Sequence, residues 1–177
     1  METGTPEAER DGLLLCITGE GKGKTTSALG MALRSLGWGR RVAVVQFIKG
    51  KFETGELRYF RKHHPEVLFE PKGLGLTRAP GDHAGAARAA WESVRPMLTD
   101  DTCDLLILDE FNVALSLGFL DASAVAALTQ RRRTLDVVVT GRGATPELKA
   151  AADLVSVIAA EKHPFERGIP AKRGIDF

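Results

Sequence analysis

The chain has 177 residues, of which 44% are hydrophobic and 27% are charged, and its formal net charge is +1. This length and composition are typical of one globular domain with a sizeable core. The near-zero charge gives no indication of non-specific binding to nucleic acid or to an anionic membrane, and no window approaches the roughly 18 apolar residues that a membrane span needs.

The N-terminus and the cysteines indicate the cellular compartment. Residues 1–12, METGTPEAERDG, are polar and acidic and resemble neither a signal peptide nor a transit peptide. Cys16 and Cys103 lie in or beside apolar runs without a partner at ligand spacing, so we interpret both as small core residues in a reducing environment. We expect a cytoplasmic protein with a flexible segment over 1–12 and a single domain over 13–177.

The first predicted elements are strand, helix and strand. Residues 13–18, LLLCIT, form a continuous apolar run, as expected of a strand buried on both faces. A helix is predicted over 25–36, because four apolar residues fall at i, i+3, i+4 and i+7, and Gly37 and Gly39 end it. A second buried strand is predicted over 41–48, RVAVVQFI.

The middle of the chain is less regular. We expect a short helix over 53–63 and a short strand near 66–70. The stretch 71–81, PKGLGLTRAPG, is predicted to be a long loop because of its prolines and glycines, and long ordered loops are often functional. A helix follows over 82–98, and Pro96 is expected to bend or fray its end.

The last third alternates again. A strand over 104–109, DLLILD, is followed by a polar loop and a helix over 122–131 with Asp121 as its N-cap. A strand over 135–140, a short helix capped by Thr145 and a strand over 154–159 complete the pattern, and the tail 161–177 is irregular. This alternation predicts a three-layer α/β fold, with a mostly parallel sheet and helices on both faces.

Residues 18–27, TGEGKGKTTS, lie between the first strand and the first helix and have the features of a phosphate-binding P-loop. In such a loop, backbone N–H groups and the helix N-terminus face phosphate oxygens, a lysine reaches the phosphates, and a Ser/Thr hydroxyl binds Mg²⁺. Gly23, Lys24 and Thr25 match the last three positions. The spacing departs from the usual pattern, because the position five before Gly23 is Thr18 and the glycine, Gly19, comes one place later.

A second acidic motif ends the strand over 104–109. Asp109 and Glu110 follow four apolar residues at the edge where ligands bind in parallel α/β sheets, which is the Walker B arrangement that helps to hold Mg²⁺. The alternative is that Asp109 caps the next helix. Because neighbouring side chains of a strand point in opposite directions, the residues themselves leave open which carboxylate approaches the metal.

Five motifs together resemble a known family. TGEGKGKTT, VVQFIKG, LILDE, VTGRG and KHPFERGIPAKRGIDF resemble, in order and spacing, the P-loop class of ATP:corrinoid adenosyltransferases, from about residue 13 to 177. The resemblance implies a RecA-like P-loop NTPase fold. It also implies transfer of the 5′-deoxyadenosyl group of ATP to the cobalt of a reduced corrinoid, with release of triphosphate.

The resemblance further implies how the site is composed. The compact loop from Gly19 to Thr26 would hold the triphosphate with the nucleotide in the reverse of the usual sense. Thr25 and Glu110 match the family's metal-binding threonine and glutamate, so Glu110 is favoured over Asp109 as the closer Mg²⁺ ligand. The expected catalytic residues are Lys24, Thr25 and Glu110. The expected nucleotide and corrinoid contacts are Gly19, Glu20, Gly21, Lys22, Gly23, Lys24, Thr25, Thr26, Lys49, Arg142, Leu74 and Leu76.

One stretch departs from the family. The family's corrin-facing loop often carries a Phe and a Trp that help to displace the lower ligand of cobalt, whereas GLGLTR here offers Leu74 and Leu76. Leucines can pack under a corrin and exclude water but cannot stack as aromatic rings do. The handling of the lower ligand, and the preferred corrinoid, are therefore left open.

Two other functions are weighed beside the transferase: a P-loop ATPase or kinase that cleaves the γ-phosphate, and a non-catalytic nucleotide or corrinoid carrier. The resemblance also implies a homodimer and a flavin-type reductase as electron donor. We expect no nucleic-acid or membrane partner, and we interpret the run 131–133, RRR, as a solvated helix end.

Overall fold

The computed structural model describes residues 11–50 and 52–177, so nearly all of the predicted flexible segment 1–12 lies outside the described residues. One sheet of six strands runs through the structure in the order β3-β2-β4-β5-β1-β6, and every pairing is parallel. The strands are β1 (Leu14–Thr18), β2 (Val42–Gln46), β3 (Leu68–Pro71), β4 (Leu105–Asp109), β5 (Asp136–Thr140) and β6 (Leu154–Val157).

Within residues 11–50 and 52–177, six α-helices connect or follow the strands. They are α1 (Lys24–Gly37), α2 (Gly55–His63), α3 (His83–Val94), α4 (Phe111–Ser116), α5 (Ala122–Thr129) and α6 (Pro146–Ala151), with short 3₁₀ turns at Arg95–Leu98 and Pro164–Arg167. Asp121 and Thr145 cap α5 and α6 by accepting hydrogen bonds from Ser123 N and Leu148 N, as predicted. None of these helices is long and apolar enough to cross a bilayer, a finding that covers the described residues.

The sheet has an apolar core on each face. Alternate side chains of the strands pack on one face against α1 and α2, through residues such as Ala28 and Phe60. The other face packs against α3, α4, α5 and α6, through residues such as Trp91 and Leu148. The prediction of a three-layer α/β fold is confirmed, and the buried central strands explain why their sequences read as continuous apolar runs.

Two local predictions are wrong. The segment after β4 was predicted as a polar loop, but it forms α4, whose Phe111, Ala114 and Leu115 are buried at i, i+3 and i+4. A helix of six residues is too short to show a clear period in sequence. The run at 131–133 is also not simply solvated, because Arg131 donates to the carbonyl oxygens of Leu128 and Leu135 at 3.0 Å each.

The outer strand β6 exposes apolar side chains. Leu154, Val155 and Val157 are between 38% and 67% exposed. β6 pairs with β1 on one side, and no strand of the described residues pairs with its other edge, which presents backbone groups without a strand partner there. This edge is therefore a surface on which a further strand could pair.

Candidate functional site

The candidate site lies at the C-terminal ends of the parallel strands. The loops after β1, β2, β4 and β5 meet there, because parallel strands bring their carboxyl ends to one edge of the sheet. β5 lies between β1 and β4, so the end of β5 separates the glycine-rich loop from the acidic pair.

The glycine-rich loop after β1 is shaped by the segment that follows β6. A Cβ on Gly19 or Gly21 would collide with the backbone of Ile158 or Ala159. Gly21 N donates a hydrogen bond to Ile158 O at 2.8 Å, so this amide is used within the protein. The close approach accounts for the compact glycine spacing, since side chains at these two positions have no room.

Lys24 begins α1 and is buried in this loop. Its side chain donates to Gly21 O at 2.6 Å, and no described carboxylate forms an ion pair with it. Burial, together with the nearby Arg142 guanidinium, lowers the pKa of Lys24 below its ordinary value. The loop therefore holds a cation that is poorly compensated by its surroundings, which suits a site for an anion.

Asp109 ends β4, and its carboxylate is surrounded by donors from the ends of β2 and β5 and from α1. Its Oδ1 accepts hydrogen bonds from Thr25 Oγ1 at 2.7 Å and from Thr140 Oγ1 at 2.8 Å. Its Oδ2 accepts from Gln46 Nε2 at 2.9 Å and lies 3.5 Å from Lys49 Nζ. Asp109 is fully buried and does not cap α4, so its carboxylate holds the phosphate loop against the acidic strand end.

Glu110 follows with a left-handed backbone, φ 61° and ψ 20°, and is the sole non-glycine residue with positive φ in the described chain. For a residue with a Cβ this conformation costs ~1–2 kcal/mol. Its carboxylate accepts no hydrogen bond from the described residues. Burial, and then the charge of Asp109, raise the pKa of Glu110 above its ordinary value.

Two further cations lie at the same edge. Lys49 follows β2 and lies 3.4 Å from Glu56 Oε1, and although burial opposes it, Asp109 and Glu56 raise the pKa of Lys49. Arg142 follows β5 and donates to Glu20 O at 3.1 Å. The structure thus brings both predicted cations to the phosphate loop or to the acidic pair.

The C-terminal tail contacts the same loop. Asp176 forms an ion pair with Lys22, and its Oδ2 accepts from Lys172 N at 2.6 Å. Asp176 is largely buried, whereas the Lys22 side chain is half-exposed. The tail therefore supplies a carboxylate that pairs with Lys22, one of the predicted phosphate-binding cations.

The loop between β3 and α3 is attached to the end of β2. Gly73 N and Gly75 N donate to Lys49 O and Ile48 O at 2.9 and 2.8 Å. Leu74 is partly buried beside Gly81, but Leu76 is 79% exposed. The structure thus places the two predicted corrin-facing leucines on a loop joined to the strand that carries Lys49, and it leaves one of them uncovered.

Three buried polar residues were missed by the reading of the sequence. Gln46 and Thr140 end β2 and β5 and bind Asp109. Asn112 donates to Gly141 O at 3.0 Å and joins α4 to the loop after β5. A polar residue that interrupts or ends an apolar strand, as in VAVVQ and VVVT, is the signal that could have found the first two.

The donors present fit a magnesium ion. The Thr25 hydroxyl donates a hydrogen bond to Asp109, so the lone pairs of Thr25 Oγ1 are available to a metal ion. The Glu110 carboxylate accepts no hydrogen bond from the described residues. Those residues contain no cluster of three or more His, Cys, Asp or Glu that could hold a metal alone. Mg²⁺ is commonly held by one or two protein oxygens together with substrate phosphates, so this sparse set suits it.

The parallel sheet, the glycine-rich loop that opens α1 and the acidic end of β4 define a P-loop nucleotide-binding protein. Residues 10–177 match the model of the family described as ATP:corrinoid adenosyltransferase BtuR/CobO/CobP. The chain belongs to this family.

Curated relatives agree with this assignment. The chain is 44% identical over 170 residues to the corrinoid adenosyltransferase of Pseudomonas aeruginosa, with 94% of this chain and 84% of the relative covered. It is 36% identical over 168 residues to the corrinoid adenosyltransferase of Escherichia coli K12, covering 94% and 86%. It is 36% identical over 173 residues to the corrinoid adenosyltransferase CobA of Salmonella typhimurium, covering 96% and 87%.

Proposed function

We propose that this chain transfers the 5′-deoxyadenosyl group of ATP to the cobalt of a reduced corrinoid, and that the loop from Gly19 to Thr26 binds the triphosphate. The 2.7 Å hydrogen bond from Thr25 to Asp109 carries the proposal, because it joins the phosphate loop and the acidic strand end into one site. Family membership selects adenosyl transfer over a γ-phosphate-cleaving enzyme or a non-catalytic carrier.

The reaction requires the protein to position the substrates and to stabilise the charge of the leaving group, and it requires no general base. Cobalt(I) of the corrinoid substrate gives an electron pair to C5′ of ATP, the C5′–O bond breaks, and triphosphate leaves with that bond's electrons. Protein groups must align C5′ with cobalt and stabilise the charge on the leaving triphosphate. Lys24 is the residue best placed to stabilise that charge, because its buried ammonium has no carboxylate partner among the described residues.

Thr25 and Glu110 would hold Mg²⁺, which when bound supplies further charge to stabilise the triphosphate. Asp109 has a different role in this proposal. Its oxygens already accept from Thr25, Thr140 and Gln46, so it positions the Thr25 hydroxyl and leaves Glu110 as the closer carboxylate.

The remaining predicted contacts have distinct parts. Lys22, Lys49 and Arg142 would add charge around the triphosphate, and Glu20, Gly23 and Thr26 would contribute through the backbone of the loop. Gly21 donates its N–H to Ile158 and accepts from Lys24, so we assign it the shaping of the loop. The nucleotide would lie with its ribose towards the loop over 71–81, where Leu74 and Leu76 would pack against the corrin.

The partners are also part of the proposal. A homodimer is supported by β6, whose apolar side chains and free edge suit pairing with a second copy. A flavin-type reductase would supply the electrons that make cobalt(I). A cytoplasmic location is supported by the two free, buried cysteines. We also propose that the chain consists of a flexible segment over 1–12 and one domain over 13–177.

The test supplies ATP, Mg²⁺ and chemically reduced cobalamin to the purified protein without oxygen. We expect a light-sensitive cobalt–carbon product together with triphosphate in equal amount. Formation of ADP without that product would indicate γ-phosphate cleavage, and binding of both ligands without turnover would indicate a carrier. Either result would reject the transferase.

A further inference from the structure

Thr140 contacts both members of the acidic pair. Its hydroxyl accepts a hydrogen bond from Glu110 N at 3.0 Å and donates to Asp109 Oδ1 at 2.8 Å. A hydroxyl has one proton to give, so the two bonds fix its direction. Thr140 is fully buried, so solvent water is not at hand to replace the hydroxyl.

The first of these bonds holds an unfavourable backbone. Glu110 alone among non-glycine residues of the described chain has positive φ, and such a conformation persists where the surroundings enforce it. Glu110 N is the first amide of the turn into α4, and α4 has no side-chain cap at its start. The Thr140 hydroxyl is therefore the group that satisfies this amide and keeps the turn in place.

The second bond reaches the phosphate loop. Asp109 Oδ1 accepts from Thr140 and also from Thr25, so the two hydroxyls share one carboxylate oxygen. Thr140 therefore acts on both proposed metal ligands: on Glu110 through the backbone, and on Thr25 through Asp109.

Gly141, the residue after Thr140, leaves room for the carboxylate of Glu110. Gly141 has φ 128°, and a Cβ there would lie 3.0 Å from Glu110 Oε2 and 3.2 Å from the Asn112 Cβ. The end of β5 thus both orients Glu110 and clears the space into which its carboxylate extends.

The geometry points to Thr140 as a positioning residue for the metal–nucleotide site: its hydroxyl sets the backbone of Glu110 and, through Asp109, the hydroxyl of Thr25. This inference rests on the proposed function, because it assumes that Thr25 and Glu110 bind Mg²⁺ with the triphosphate. Groups that orient metal ligands typically contribute 10–100-fold to metal affinity.

The test measures ATP affinity by calorimetry with and without Mg²⁺, in the absence of corrinoid. The dissociation constant of ATP without Mg²⁺ is divided by the dissociation constant with Mg²⁺. This ratio reports how strongly the metal strengthens nucleotide binding. Thr140→Val keeps the shape of the side chain and removes the hydroxyl. We expect it to reduce this ratio about ten-fold, with the metal-free affinity changed by less than about two-fold, since the loop amides and Lys24 are untouched.

Three comparisons complete the design. Thr140→Ser retains the hydroxyl and should restore the ratio, and Thr129→Val, on α5 away from the site, should leave it unchanged. If Thr140→Val does not fold, Thr140→Ala carries the same prediction. A purely structural role would lower both affinities together or affect the serine variant equally, and either result would overturn the inference.

Glu110→Gln separates this inference from the proposed function. If the wild-type ratio is unchanged in Glu110→Gln, the proposed metal role of Glu110 is wrong. If Glu110→Gln loses the coupling while Thr140→Val and Thr140→Ala retain it, the metal role stands and the role of Thr140 is rejected.

Discussion

The two sides of the site are built in different ways. On the proposed phosphate side, formed by the loop over 19–26 and the ends of β4 and β5, Asp109 and Thr140 are fully buried and their side-chain oxygens are hydrogen-bonded within the protein. On the opposite side, the loop over 71–81 is joined to β2 by backbone bonds, and Leu76 is 79% exposed.

The chemistry of the two proposed ligands accounts for this difference. A polyanion is bound by amides and cations, which a protein can place in advance through its own hydrogen bonds. A broad apolar ligand is bound by apolar surface, which stays exposed to water until the ligand covers it. Removal of a charge-stabilising group from the proposed phosphate side should therefore reduce catalysis, whereas removal of apolar surface from the loop should reduce affinity for one substrate.

The largest effect is expected from Lys24→Ala. Removal of this buried cation should lower turnover by ~10²–10³-fold, the usual effect of losing one preorganised charge-stabilising group. The measurement is the anaerobic rate of cobalt–carbon bond formation at saturating substrates. Lys62→Ala, on the exposed face of α2, is the matched control, and a near-normal rate in Lys24→Ala would show that the loop does not stabilise the leaving triphosphate.

A smaller and selective effect is expected from Leu76→Ser. Covering one leucine contributes about 1.5–3 kcal/mol, so KM for the corrinoid should rise about ten-fold or more, while KM for ATP stays unchanged. Leu33→Ser, at a similarly apolar but remote position on α1, should alter neither constant. Equal changes in both constants would remove the distinction between the two sides.

Asp176→Asn tests whether the tail competes with phosphate for Lys22. A pair with one half-exposed member contributes about 0.2–1 kcal/mol, so the variant should bind inorganic triphosphate more tightly, by a factor of about 1.4 to 5. Glu92→Gln, on the surface of α3, is the control. Weaker binding of triphosphate by Asp176→Asn would mean that the tail supports the phosphate side.

The last prediction concerns stability and pH. Because the pKa of Glu110 is raised in the folded protein, its ionised form destabilises the fold, and this penalty develops as pH rises through the interval above its ordinary pKa of 4.5. Glu110→Gln should therefore be more stable than the ligand-free wild type at pH ~7, with the difference lost below about pH 4. Urea unfolding at the two pH values measures it, and a less stable variant at pH ~7 would contradict the origin of the shift.

The layers of the fold could be predicted in large part from the sequence, and the sequence also supplied the residues that are proposed to bind phosphate. Buried parallel strands leave continuous apolar runs, and a glycine-rich loop between strand and helix is specific enough to indicate Lys24 and Thr25. Asp109 and Glu110 were both named, and the family resemblance, not the residue pattern, favoured Glu110. That preference stays a proposal, and the structure supports it because the oxygens of Asp109 are already used by protein donors.

The supporting residues could not be predicted because their contacts depend on strand order. Thr140 meets Asp109 because β5 is inserted beside β4, and Gln46 meets it because β2 and β4 pair in register at these two residues. Asp176 reaches Lys22 only when the tail returns across the sheet edge. The left-handed backbone of Glu110 is likewise set by tertiary contacts, and a glutamate in a sequence does not indicate this conformation.

The loop over 19–26 is proposed to hold ATP with the ribose towards the corrinoid, and every assignment of the site depends on this orientation. A crystal structure of the chain with ATP and Mg²⁺ measures this directly. We expect the triphosphate within hydrogen-bond distance of Lys24 and the loop amides, Mg²⁺ on Thr25 and Glu110, and C5′ facing the loop that carries Leu74 and Leu76. A γ-phosphate directed at that loop, with the ribose on the far side of Lys24, would contradict it.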